Sequence, residues 1–205
     1  MDKKQKKNWI QYGIFAVVAI ILYTTGMHTE LIGFAQRGLL ATGIMNPNVE
    51  KIAEERNLAT HNETATTPVP TKADFNLKLI DKEGNITSLE DLKGKVIFMN
   101  LWATWCPPCI AEMPSIANLH ETMGDQVAFV MLSLDKNFET AKKFDKRKGY
   151  NLPIYAPASS LPKIYNSSAI PTTYIIDADG NLALTHKGMA DYSDSEFISF
   201  LRSLK

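Results

Sequence analysis

Apolar residues open the chain as one long run. Residues 9–27 (WIQYGIFAVVAIILYTTGM) contain only three polar interruptions, and a lysine-rich head over residues 1–8 precedes them. As an α-helix, residues 10–27 would span about 27 Å, close to the roughly 30 Å of a bilayer core. The pattern therefore predicts a helix of membrane-spanning length at the N-terminus.

We expect residues 9–27 to be a transmembrane signal anchor and residues 1–8 a cytoplasmic basic tail. Because the lysines precede the helix, the rest of the chain is expected outside the cytoplasm. A cleaved signal peptide is the alternative, although no clear small-residue cleavage motif follows the run. A buried helix of a soluble protein is disfavoured by the lysine head.

A second apolar segment, residues 31–45 (LIGFAQRGLLATGIM), carries Gln36 and Arg37 at its centre. A charge at that position disfavours insertion by about 2.5–3.5 kcal/mol. We expect the segment to lie on the outer membrane face, with a second crossing as the alternative. The threonine- and proline-rich stretch NETATTPVPTK follows and has little to bury. Residues 28–73 are therefore predicted to be a juxtamembrane segment and flexible linker.

From residue 74 onwards, short apolar runs alternate with turn residues, which predicts one α/β domain over residues 74–205. The predicted strands cover residues 75–80, 96–102, 127–134, 153–156, 172–177 and 182–186, the last two forming a hairpin. The predicted helices cover residues 106–123, 138–148, 161–165 and 195–204. This order predicts a mixed sheet covered on both faces, a three-layer α/β/α fold.

Composition narrows the possible partners. The 205 residues include 22 basic and 22 acidic side chains, so the formal net charge is zero. A neutral chain gives no electrostatic reason to expect nucleic acid as a partner. The two cysteines form a single CxxC, and a bridge between them would close only a very small loop. Stability is therefore expected to come from the core.

The candidate chemistry lies in residues 102–109 (WATWCPPC), where a buried strand leads into a helix. Cys106 is expected at the helix N-terminus, where free N–H groups and the dipole stabilise a thiolate. Pro107 suits the first helical turn because it lacks an N–H group. Cys109, one turn further on, could attack a mixed disulfide formed at Cys106.

The CxxC has two other interpretations. A zinc site needs further ligands, but no second CxxC or HxxxH is present and the four histidines are scattered. We therefore predict no metal site. An inert buried pair is disfavoured by the strand-then-helix context.

Two further positions are candidates for redox chemistry. Glu112 follows Cys109 at i+3, so its carboxylate could exchange a proton with the resolving thiol; a solvated helix glutamate fits the spacing equally well. Pro171 enters a predicted strand within AIPTT. A cis bond there would let the backbone of Ile170 pair with a partner's extended chain. From the residues alone, a trans turn is favoured.

The segments FMNLWATWCPPCIAEMP and AIPTTYIIDADG resemble the membrane-anchored thioredoxin-like reductases of the TlpA/ResA type. The resemblance covers residues 74–205 and implies a thioredoxin fold, an attacking Cys106, a resolving Cys109, a catalytic Glu112 and a cis bond at Pro171. The substrate-binding positions it implies are Trp105, Pro107, Ile170 and Pro171. Asn100 falls where cytosolic thioredoxins keep a buried aspartate, and residues 138–157 correspond to an inserted helix and strand.

The resemblance also implies a function and partners. We expect a thiol–disulfide oxidoreductase that reduces exported proteins, such as apocytochrome c or oxidase-assembly proteins, with no cofactor beyond the Cys106–Cys109 disulfide. A membrane electron donor of the CcdA/DsbD type would regenerate the dithiol. The expected location is the inner membrane, single-pass, with the domain in the periplasm or otherwise outside the cytoplasm.

Three other functions are alternatives. A copper metallochaperone would use Cys106, Cys109 and His186, but chaperones on this fold usually space their cysteines CxxxC. A thiol peroxidase would need a threonine three residues before the reactive cysteine, where Ala103 stands. A tethered binding module with a vestigial CxxC is the remaining alternative.

Overall fold

The computed structural model describes residues 3–24, 27–40 and 71–204. Helices α1 (Lys3–Thr24) and α2 (Met27–Leu40) precede the domain, and most of the predicted linker lies outside the described residues. The strands are β1 (Lys78–Ile80), β2 (Ile86–Ser88), β3 (Val96–Trp102), β4 (Val127–Ser133), β5 (Ile154–Pro157), β6 (Thr172–Ile176) and β7 (Leu182–Lys187). The domain helices are α3 (Pro107–Met123), α4 (Phe138–Lys148) and α5 (Ser195–Ser203), with 3-10 turns at Leu89–Leu92 and Lys163–Tyr165.

The strands form one seven-stranded sheet in the order β2-β1-β5-β4-β3-β6-β7. Strands β3, β4 and β5 are parallel, whereas β6 runs antiparallel to β3 and β7 antiparallel to β6. All seven residues of β3 are buried, as its continuous apolar run predicts. The predicted mixed sheet is therefore confirmed, with β3 near its centre.

The two faces of the sheet are covered differently. Buried side chains of α3, α4 and α5 pack on one face, around Phe98 and Trp102. The other face, around Ile97 and Met99, is covered by both 3-10 turns and neighbouring loops rather than by α-helices. The predicted α/β/α layering is wrong in this respect. The connections β3-α3-β4 and β4-α4-β5 step in the same direction across the sheet, so right-handed crossovers place both helices on one face.

The two N-terminal helices meet the domain through α2, which packs on α3 (Gly33 lies against Pro107 and Ile110). Side chains of α1 from Trp9 to Tyr23 are largely exposed and apolar. Among the described residues, no single helix is long and apolar enough to cross a membrane, although Asn8–Thr24 and His28–Gly38, at 89° to each other, meet that test as a bent pair. The anchor over residues 9–27 stays a prediction.

Candidate active site

The two cysteines lie where β3 gives way to α3. Cys106 has extended backbone (φ −104°, ψ 100°) and is the N-cap of α3, and Pro107 occupies the first turn. Cys106 and Cys109 are joined in a disulfide. The backbone N–H of Cys109 donates to Sγ of Cys106 at 3.2 Å. After reduction, the same N–H and the helix dipole would stabilise a thiolate at Cys106.

The surface around the disulfide is uneven. Cys106 is only 3% exposed and Cys109 is fully buried, whereas the neighbouring Trp105 is 58% exposed. The Cys106 sulfur is thus recessed in the disulfide state. Trp105 is the prominent apolar feature of this edge and is available to contact a partner.

The cis-proline loop faces the disulfide. The Ile170–Pro171 bond is cis, as the family resemblance implied and in contrast to the trans turn that the residues alone favoured. The carbonyl oxygen of Ile170 lies 3.7 Å from Sγ of Cys106. The hydroxyl of Thr172 donates to the carbonyl of Ala169 at 2.8 Å, which fixes the loop before β6. Backbone groups beside the sulfur are therefore in reach of a bound polypeptide.

Glu112 is completely buried, one helical turn beyond Cys109. Its Oε1 accepts a hydrogen bond from Nδ2 of Asn100 at 2.8 Å, and its Oε2 accepts from the N–H of Ala190 at 3.2 Å. Burial raises the pKa of the Glu112 carboxyl to about 8, against the opposing effect of these two hydrogen bonds. The alternative of a solvated helix glutamate is therefore wrong.

A buried polar chain extends from Glu112 across the sheet. Nδ2 of Asn100 also donates to Oγ1 of Thr173 at 2.9 Å, and the hydroxyl of Tyr192 donates to the same oxygen at 2.7 Å. Oδ1 of Asn100 is buried without a hydrogen-bond partner in the described part of the chain. Burial raises the pKa of Tyr192 well above its ordinary value, and the nearby Glu112 charge adds to the effect.

Sequence reasoning missed most of this buried hydrogen-bond network. The resemblance placed Asn100 where cytosolic thioredoxins keep a buried aspartate, but its contact with Glu112 was not predicted. Thr173 belongs to the noted AIPTT motif, whereas Tyr192 and Ala190 come from the loop after β7 and carry no sequence signal.

A second missed feature fixes the loop that carries Trp105. The backbone N–H and hydroxyl of Thr104 donate to the Asp135 carboxylate, the hydroxyl at 2.7 Å. Ser133, at the end of β4, donates to the same carboxylate at 2.9 Å. The Thr104 hydroxyl is thereby engaged by Asp135, which further disfavours a role as a peroxidase threonine. The Asp135 carboxylate, just beyond the end of β4, thus fixes the loop that follows the neighbouring strand β3.

The metallochaperone alternative gains no ligand set from the structure. Within the described ranges, no three His, Cys, Asp or Glu side chains form a group that could hold a metal ion. His186 lies in β7, with its ring 6.4 Å from that of Tyr192 in an edge-on arrangement. It therefore belongs with the buried aromatic cluster.

A CxxC disulfide at a helix N-terminus, opposite a cis-proline that precedes a sheet strand, defines a thioredoxin-like redox domain. The Redoxin family model matches residues 64–197, and the chain therefore belongs to the Redoxin family. It is 36% identical over 130 residues to the thioredoxin-like protein YneN of Bacillus subtilis strain 168, covering 60% of this chain and 73% of that protein.

Two further comparisons agree. The chain is 27% identical over 205 residues to the thiol-disulfide oxidoreductase ResA of Halalkalibacterium halodurans, covering 98% of each. A crystal structure of a thioredoxin-family thiol:disulfide interchange protein from Chlorobium tepidum TLS is 26% identical, with a TM-score of 0.56, over 67% of this chain and 97% of that one. The resemblance to ResA-type oxidoreductases is thus confirmed, and Cys106–Cys109 is a disulfide reductase centre.

Proposed function

We propose that the chain reduces disulfides of exported proteins through a cycle between the Cys106–Cys109 dithiol and disulfide. One observation carries the proposal: the N-cap sulfur of Cys106 lies 3.7 Å from the cis-proline loop carbonyl of Ile170, while the buried Glu112 lies one turn beyond Cys109. The arrangement combines a nucleophile, a backbone edge for a polypeptide and a proton-exchanging group.

The reducing half-cycle begins with the Cys106 thiolate attacking one sulfur of a substrate disulfide. That bond breaks, the second substrate sulfur leaves as a thiolate and takes up a proton, and a mixed disulfide remains on Cys106. Cys109 then loses its proton and attacks Sγ of Cys106. The second substrate thiol is released, and the two electrons of the dithiol have passed to the substrate.

Glu112 is suited to move the proton of Cys109 in both directions. With a pKa of about 8, the Glu112 carboxyl can both accept and return a proton near neutral pH. Its carboxylate would accept the proton when Cys109 attacks. Its neutral acid, the main form at pH 7, would return a proton when the disulfide is reduced and Cys109 leaves as a thiolate.

Location and partners complete the proposal. Residues 9–27 would anchor the chain in the inner membrane, with the domain in the periplasm or otherwise outside the cytoplasm. The lysine-rich head and the exposed apolar side chains of α1 support this arrangement. A membrane electron donor of the CcdA/DsbD type would supply two electrons to each disulfide, and the substrates would be exported proteins such as apocytochrome c.

The test is a trapping experiment on the full chain. Cys109→Ser should leave mixed disulfides between Cys106 and exported proteins, and Cys106→Ser is the matched control that should trap none. Insulin reduction should disappear in both variants. The equilibrium potential against glutathione checks the direction, and a value near that of the strong oxidant DsbA, about −120 mV, would contradict a reductant.

A further inference from the structure

Helix α2 lies directly on the helix that carries the cysteines. Gly33 is buried, and a Cβ at this position would lie 3.0 Å from the carbonyl oxygen of Pro107 and 3.3 Å from Cβ of Ile110. At its other end, Leu40 packs with Ala111 of α3 and with Met189. The inward face of α2 therefore contacts α3 from its first turn, immediately after Cys106.

Charged contacts hold the start of α2 against α4. Glu30 pairs with Arg147, and its Oε2 lies 2.7 Å from Nζ of Lys148. Thr29 and Glu30 also line a groove of about 200 Å³ together with Trp105 and Phe144. One edge of the redox site is thus built from a segment outside the thioredoxin-like domain.

The outward face of α2 is apolar. Leu31, Ile32 and Phe34 are 54%, 47% and 71% exposed. Helix α2 begins after a break of only two residues from α1, whose exposed side chains are also apolar. The two helices make an angle of 89°. If α1 stands along the bilayer normal, α2 lies in the plane of the membrane surface. Continuity with the exposed apolar surface of α1 indicates lipid as the partner of the outward face, and the angle fits this position when α1 spans the bilayer.

We propose that α2 binds the redox domain with its inward face and a lipid surface with its outward face, so that Cys106 is held at the membrane. The inference rests on the proposed function, because it takes up the membrane anchor and the Cys106–Cys109 cycle. Its consequence is a preference for reductants and substrates located at the bilayer surface.

The preference follows from the length of chain between α2 and the domain. Residues 46–70 lie outside the described part of the chain, and as the flexible linker that the sequence predicts they would span roughly 25–30 Å. A domain released from α2 could move away from the surface by that distance, which dilutes it relative to membrane-bound partners. Docking on α2 removes this freedom.

Lipid contact is tested directly with the full chain in phosphatidylcholine vesicles that contain a diazirine-bearing phosphatidylcholine. After illumination, mass spectrometry should find lipid cross-links on α1 and on Leu31, Ile32 or Phe34 of α2. Cross-links confined to α1 would overturn the inference and leave the anchor intact. Cross-links on neither helix would contradict the anchor itself.

The docking of α2 on α3 is tested by two glycine variants of the same helix. Gly33→Leu should release α2, whereas Gly38→Leu is the matched control because an added Cβ there meets nothing within 4 Å. The readout is the rate of disulfide reduction by a lipid-attached dithiol relative to dithiothreitol. We expect Gly33→Leu to lower this ratio by about tenfold and Gly38→Leu to leave it unchanged.

A second variant guards against local misfolding. Glu30→Lys places a positive charge opposite Arg147 and Lys148, which should repel α2 from α4. The ratio should therefore fall, as it does in Gly33→Leu. An unchanged ratio in both variants would overturn the inference. Failure of the unaltered chain to cycle with dithiothreitol would instead refute the proposed redox function.

Discussion

Replacing Glu112 by glutamine should change how the stability of the oxidised protein depends on pH. The folded carboxyl has a pKa of about 8, against an ordinary value of 4.5 in the unfolded chain. Between these two values the folded state holds one proton that the unfolded state has lost. The free energy of unfolding of the wild type therefore falls as pH rises through this window.

The size of the effect follows from the two pKa values. Each pH unit inside the window costs about 1.4 kcal/mol, so the loss relative to low pH is roughly 3 kcal/mol at pH 7 and approaches about 5 kcal/mol above pH 8. Glu112→Gln removes this loss. Its amide has its own fixed cost beside Asn100 and Ala190, so the quantity of interest is the change with pH, not the absolute difference.

The assay is urea unfolding of both proteins with the disulfide intact, at intervals from pH 4.5 to 9. The free energy of unfolding of Glu112→Gln minus that of the wild type should rise by a few kcal/mol between pH 5 and pH 8. The two histidines with lowered pKa, His120 and His186, are present in both proteins and cancel in the difference. A difference that stays flat over this range would refute the buried, protonated carboxyl.

Three further outcomes are expected. Asn100→Leu removes a hydrogen bond that favours the ionised Glu112 carboxylate, so the pKa of Glu112 should rise further, by roughly one pH unit. The pH profile of mixed-disulfide resolution reports the shift, and an unmoved midpoint would contradict it. Tyr192→Phe should lower the free energy of unfolding by about 1 kcal/mol, measured in urea, because Thr173 loses a donor. Asp135→Ala leaves the N–H and hydroxyl of Thr104 without their acceptor and should cost about 1–3 kcal/mol and slow insulin reduction; Asp125→Ala is the control on an exposed acid.

The sequence predicted the parts of the site that depend on local structure. The apolar runs of β3 and β4 require burial on both faces, and the CxxC after β3 requires a helix start. Spacing also placed Glu112 on the helix face of Cys109. Spacing could not show that this helix face is buried, because burial depends on which residues pack over it. The N–H of Ala190, which closes over Glu112, comes from a loop 78 residues away.

The remaining differences have the same origin in long-range packing. Local pattern does not reveal that successive crossovers step in one direction, so the helix layers were assigned to both faces. The composition of residues 31–45 predicts that they lie on the membrane, and this stays a prediction. The structure places residues 31–40 within α2 and docks its inward face on α3, a contact that depends on Gly33 fitting against Pro107.

The recessed position of Cys106 restricts, by shape, which substrate disulfides can reach it. With the attacking sulfur nearly covered and Trp105 projecting beside it, only a bond carried on a protruding or unfolded stretch of polypeptide can be threaded over the Ile170 carbonyl to reach it. Disulfides buried inside folded proteins cannot approach the Cys106 sulfur for steric reasons. We therefore expect the enzyme to act on unfolded or protruding polypeptide and to spare the structural disulfides of folded proteins.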